Sequence, residues 1–137
     1  MGIEVQITNR TSQAVQKLRD TAGNRMHEMV NVVRNNTLET LSGNRTGRTY
    51  RVPGSIRTYT ASAPGEPPAQ RLGELRQSVS TEVKVSKDEV KGRVGTGKDY
   101  GLMLELGTKN MAARPWLLPS FQRSEDELER IKNRPWL

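Results

Sequence analysis

The chain has 137 residues and a mass of 15.4 kDa, with 22 lysines and arginines against 15 aspartates and glutamates, a formal charge of +7 and an isoelectric point near 10.1. That length suits a single domain, residues 1–137, with a modest core, and at 33% hydrophobic and 4% aromatic residues a large enzyme with a deep apolar cleft is not expected. The lack of cysteine removes disulfides, thiolate metal sites and thiol nucleophiles, and a single histidine, His27, leaves no multi-histidine metal site and no Ser-His-Asp arrangement that does not run through it.

Along the chain, residues 1–8 alternate, with Ile3, Val5 and Ile7 on one side and Glu4 and Gln6 on the other, as in a half-buried strand. Asn9 to Ser12 then offers cap chemistry for a helix that starts near Thr11 or Ser12 and runs to about Ser42. Its apolar stripe is Val15, Leu18, Ala22, Met26, Met29 and Val33, with a weak point or break at Gly23 and a stop at Gly43. Residues 43–70 are rich in proline and glycine and read as an extended arm. Within it, residues 48–52 and 56–61 form the two limbs of a hairpin that turns at Pro53-Gly54. Residues 71–78 read as a short helix, residues 79–85 as a strand and residues 89–95 as its hairpin partner across a turn at 86–88. Residues 98–106 make one or two helical turns ending at Gly107, residues 108–113 a loop, and a last helix runs from Pro119 to about Lys132.

Few residues offer chemistry. The segment from Gly92 to Asp99 nearly fits the phosphate-cradling loop, but Asp99 stands where a hydroxyl should ligate magnesium, and its carboxylate would repel phosphate. It is better read as a glycine-rich strand exit. His27 reads as a partly exposed helix residue, and Glu66, Glu74 and the acids at 125–127 as solvated charges, so no catalytic, cofactor or metal residue is assigned. The arm carries Arg45, Arg48, Arg51 and Arg57 with no acid between Glu39 and Glu66, interleaved with Tyr50 and Tyr59. Such an arm suits either a nucleic-acid backbone or an acidic neighbouring subunit. The two tryptophans share one context, Arg114-Pro-Trp-Leu117 and Arg134-Pro-Trp-Leu137. Trp116 reads as an anchor for the last helix. In the terminal segment, residues 133–137, Trp136 and Leu137 form either a docking tail or a strap folded back on the chain.

Three segments in order carry a resemblance. They are Ser62-Ala-Pro-Gly-Glu-Pro-Pro-Ala69 with Leu72-Gly-Glu-Leu-Arg-Gln-Ser78; Val94-Gly-Thr-Gly97 with Tyr100-Gly-Leu-Met-Leu-Glu-Leu-Gly-Thr108; and Ala113-Arg-Pro-Trp-Leu-Leu-Pro-Ser-Phe121. Over residues 45–130 the chain resembles the small neck proteins of long-tailed bacteriophages and prophages: head–tail joining, tail-completion and minor tail components, including the Z-type tail-completion proteins. The resemblance implies a virion structural protein without catalysis or cofactor. It would form or join a homo-oligomeric ring beside portal or head-closure, tail-terminator and tail-tube proteins, with viral DNA passing through or touching it.

Residues in the matching segments are expected to have packing roles. Tyr100 is placed in the core, and Glu105 caps a helix or pairs with an arginine such as Arg114. Gly107 takes a positive φ, Arg114 is held extended before Pro115, and Trp116 anchors the last helix. The expected fold is α+β: an antiparallel sheet with the long N-terminal amphipathic helix and the C-terminal helix packed on it, plus the basic hairpin arm. No apolar run approaches the ~18 residues of a membrane span, so no membrane location is expected; the resemblance implies the host cytoplasm during assembly and then the virion neck. The alternative function, from another class, is nonspecific nucleic-acid binding through the arm.

Overall fold

The computed structural model describes Ile3, residues 11–69 and residues 73–136. The strand expected over residues 1–8 falls outside these apart from Ile3, which is exposed and in no regular element; Gln70, Arg71, Leu72 and Leu137 also lie outside them.

Helix α1 spans Thr11–Thr40, about 45 Å at 1.5 Å per residue, and runs unbroken through Gly23. The glycine is there for packing: a Cβ on it would lie 3.3 Å from Val85 Cγ2, so its absence lets a strand come close. The line that α1 buries is also shifted from the expected stripe. Val30 and Val33 are buried together with Gly23, Arg25 and Thr37, and with Leu41 just past the helix end, whereas Val15 and Leu18 are exposed. Small and polar residues complete the buried line, which hydrophobicity alone does not reveal.

Strands β1 (Thr49–Arg51) and β2 (Thr58–Thr60) pair antiparallel with Tyr50 opposite Tyr59. Further rungs extend the ladder, Ala61 N to Arg48 O and Val52 N to Arg57 O, each 2.8 Å. The turn closes with Ser55 N donating to Val52 O at 3.1 Å, with Pro53 at its second position and Gly54 at φ 73° in its third, as a type II turn requires. Helix α2 (Glu74–Ser78) leads into β3 (Ser80–Val85), which pairs with β4 (Val90–Gly95) in register Ser80 to Gly95 through Val85 to Val90. Helix α3 (Asp99–Leu106) follows, then α4 (Leu118–Lys132), which has proline in its first turn and Arg130 and Lys132 in its last.

The fold is α+β, with α4, β3 and β4 packed on α1. The expected sheet is two separate two-stranded sheets, one in the body and one in the arm. Between α1 and α4 the contact is made by small hydroxyl side chains. Ser120 Oγ lies 2.8 Å from Thr40 Oγ1, Asn36 Nδ2 donates to Ser124 Oγ at 2.7 Å, and Thr37, Ser120 and Ser124 have no exposed surface. Their hydroxyls reach carbonyls one turn back, so burial leaves no polar group unpaired. The apolar core lies at the C-terminal end of α1: Leu41, Leu75, Val79 and Trp116, with Leu38, Val94, Leu104 and Leu117 packed against them.

Candidate functional site

The three segments that carry the resemblance meet in space. Leu75 and Val79, Val94 and Leu104, and Trp116 and Leu117 come from the first, second and third segments or the positions beside them, and all belong to the one core. Backbone hydrogen bonds tie them further: Gly65 N donates to Ala113 O at 3.2 Å, and Arg114 N to Leu104 O at 2.6 Å.

Trp116, 2% exposed, is the anchor expected, and its indole Nε1 donates to Gly101 O at 2.9 Å. A side chain on Gly101 would meet Thr96 Cγ2 at 2.6 Å and Trp116 Cζ2 at 3.3 Å, so glycine is what admits the indole. Glu105 does cap, but it caps α4 from α3. Its carboxylate accepts from Trp116 N and Leu117 N at 2.8 Å and from Leu118 N at 2.9 Å, at the positive end of the α4 dipole. Among the described residues it makes no ion pair with Arg114. Arg114 instead turns its guanidinium to Ser62 O at 3.4 Å and Ala112 O at 3.3 Å, next to Pro115. Gly107 has φ 79°, and its N–H closes α3 on Met103 O.

Tyr100 corrects an expectation: it is 38% exposed, because Gly101, one position on, takes the inward place. Partial desolvation, and after it the nearby Glu74 carboxylate, hold the Tyr100 phenol above its ordinary ionisation range.

Beside this core several apolar side chains are exposed. Leu102 and Leu106 are 64% and 71% exposed on α3, with Met103 between them. The first turn of α4, joined to α3 by the Glu105 caps, exposes Leu118 and Phe121. Beside Phe121 an open groove of about 890 Å³ runs between α1, the β3–β4 hairpin and α4, floored by Met26, Val30 and Val33.

In the arm the structure divides the expected arginines. Arg45 is structural: Nε donates to Pro67 O at 2.7 Å and Nη2 to Thr40 O at 2.6 Å, pinning the arm to the end of α1. Next to it Glu66 accepts from Thr46 N, Thr46 Oγ1 and Ala63 N, and these bonds, that from Thr46 Oγ1 foremost, hold its carboxyl below the ordinary glutamate range. Arg48, Arg51 and Arg57 are exposed, and Tyr50 and Tyr59 stack with ring centroids 5.9 Å apart.

Of the two readings of the terminal segment, the structure has the fold-back. Arg25 of α1, buried, donates to Arg134 O at 2.7 Å, to Lys132 O at 3.3 Å and to Pro135 O, and its guanidinium lies 4.3 Å from the Trp136 ring centroid. Sequence reading missed Arg25 because a cation beside a helix's apolar stripe reads as its solvated flank. The terminal carbonyls it needs are more than a hundred residues away.

His27 is exposed, and Gly92 and Gly95 belong to β4 with α3 starting at Asp99, so that segment is a strand exit. Among the described residues there is no cluster of His, Cys, Asp and Glu suited to a metal ion, and no helix long and apolar enough to cross a membrane. Comparison of the chain with protein-family models, curated proteins and solved structures finds no match.

Proposed function

We propose that this chain is a structural subunit of the neck of a long-tailed bacteriophage. It completes the tail and joins it to the head from within an oligomeric ring, without catalysis. The observation that carries this reading is the placement of exposed apolar residues. The three resembling segments converge on one core, and directly outside that core Leu102, Met103, Leu106, Leu118 and Phe121 are left to solvent. Apolar surface of this kind marks contacts with other proteins. Ring subunits join head to tail through two different surfaces, so each copy presents apolar area that no isolated monomer covers. Portal or head-closure, tail-terminator and tail-tube proteins are the partners proposed, with assembly in the host cytoplasm and residence in the virion neck.

The test is association of the purified protein with tails that lack it, followed by light scattering and negative-stain microscopy. Wild-type protein should cap the tail ends or close into rings. The double variant Leu102→Asp/Leu106→Asp should stay folded, because both side chains are largely in water, and lose that association. Association undiminished in the variant, or absent in the wild type, would overturn the reading.

A further inference from the structure

We propose that the β1–β2 hairpin is a clamp for the phosphate backbone of duplex nucleic acid, applied through Arg48, Arg51 and Arg57 without reading base sequence. The proposal concerns a different surface from the apolar one above and does not depend on the assembly reading.

Ladder parity sets the arrangement. With Tyr50 opposite Tyr59 and Arg57 opposite Val52, successive side chains alternate between the two faces of the ribbon. Arg48 and Arg57 therefore share one face with the two tyrosines, on the diagonal corners of the stacked pair. Arg51 lies on the other face among Thr49, Thr58 and Thr60, of which Thr49 and Thr60 are joined at 3.2 Å. A two-stranded ribbon is narrow enough for the major groove of a duplex, whose walls are two rows of phosphates. Cations on both faces fit those two walls, where a flat acidic protein surface would need them on one.

The charges are available. All three side chains are exposed, and among the described residues their guanidinium groups have no hydrogen-bond or ion-pair partner. Arg45, by contrast, is fully engaged by carbonyls. No acid lies in sequence between Glu39 and Glu66, and Glu66 is itself bound to Thr46 and Ala63. Single strands are less well served. Each tyrosine gives one ring face to the other, where a single-strand groove presents open rings on which bases stack. Phosphate contacts position a protein on a duplex but carry no sequence information, so binding should be indifferent to sequence.

The experiment measures anisotropy of a labelled duplex with the full chain across a salt series. Three phosphate contacts give a slope of log K against log salt of about −2.7, and each single Arg→Ala change at 48, 51 or 57 should reduce its magnitude by about 0.9. The triple Arg→Ala variant should lose binding, while the triple Arg→Lys variant, which keeps the charges, should keep the slope. Exchange of the exposed Arg130 on α4 should change nothing. Absence of binding at low salt, a slope untouched by the triple Arg→Ala change, or a preference for a single strand would each overturn the proposal. So would displacement by polyglutamate at charge concentrations equal to the duplex, which would assign the hairpin to an acidic protein.

Discussion

Glu105 lies in α3, yet its carboxylate serves α4, taking three backbone N–H groups of residues 116–118 that have no partner inside a helix. Bonds to an ionised acceptor are about twice as strong as neutral ones, and the site lies at the positive end of a helix. Glu105→Ala should therefore lower stability by about 2 kcal/mol, and thermal unfolding of a chain this size should fall by roughly 8 °C. Glu105→Gln, with a single acceptor oxygen and an amide NH2 that can only donate turned toward one N–H, should lose about half as much by the same reasoning. Circular dichroism melts check both, and an alanine variant that melts with the wild type would remove the cap from the account. A capping role for Glu105 was legible in the sequence, since a lone acid in an apolar segment needs a reason. Its target was not, because the N–H groups it serves are 11 to 13 residues downstream and one-dimensional spacing does not bring them near. Tyr100 misled for a related reason: the inward position belongs to Gly101, and a glycine in a pattern reads as a gap in a core rather than as the seat of an indole.

Turn chemistry made the hairpins legible as elements, because Pro53-Gly54 and the turn at residues 86–89 are local signals that need no distant partner. How the elements seat on one another was less legible. β4 rests on α1 at Gly92, where an added Cβ would stand 2.5 Å from Met26 Sδ and 2.6 Å from Val30 Cγ1. Met26 can swing away, but Val30 is buried, and a β-branched side chain in a helix strongly prefers one χ1 rotamer. Gly92→Ala should therefore push strand from helix and destabilise by about 1–3 kcal/mol, the range for overpacking. Gly95→Ala, in the same strand, meets nothing within 4 Å and should stay within about 0.5 kcal/mol of wild type. Urea unfolding of the pair is the check, and equal midpoints would mean that β4 is not seated by that contact. The α1–α4 contact was hidden in the same way. Thr37, Ser120 and Ser124 fill it with small hydroxyls satisfied one turn back, and such residues read as surface until their burial is seen.

Across the whole molecule, Arg25 joins the first helix to the terminal segment, which sorts the surfaces into one satisfied internally and one that is not. Its guanidinium takes carbonyls of residues 131, 132, 134 and 135 and lies under the Trp136 ring, and Glu28 adds an ion pair to Arg134 at 3.0 Å. That ion pair is half exposed and contributes little; the buried guanidinium, with several carbonyl acceptors, carries the latch. Arg25→Met keeps the apolar stem but strands those carbonyls. It should lower stability by about 2 kcal/mol and raise the acrylamide quenching of Trp136, which is 41% exposed with one ring face on the guanidinium, toward that of a free indole. Arg25→Lys should recover only part of this, since one ammonium lacks the planar fork that reaches carbonyls of residues 131 to 135 together. Trp116 keeps a constant, protected background in every variant, so the change in quenching reports Trp136 alone. With the terminal segment latched, the Trp136 ring gives one face to Arg25 and is 41% exposed, whereas Leu102 and Leu106 are left at 64% and 71%. If assembly draws on unsatisfied surface, Arg25→Met should leave tail association near wild type at temperatures where the variant is folded. Loss of association in that variant, with its fold intact, would place the terminal segment rather than α3 at the contact.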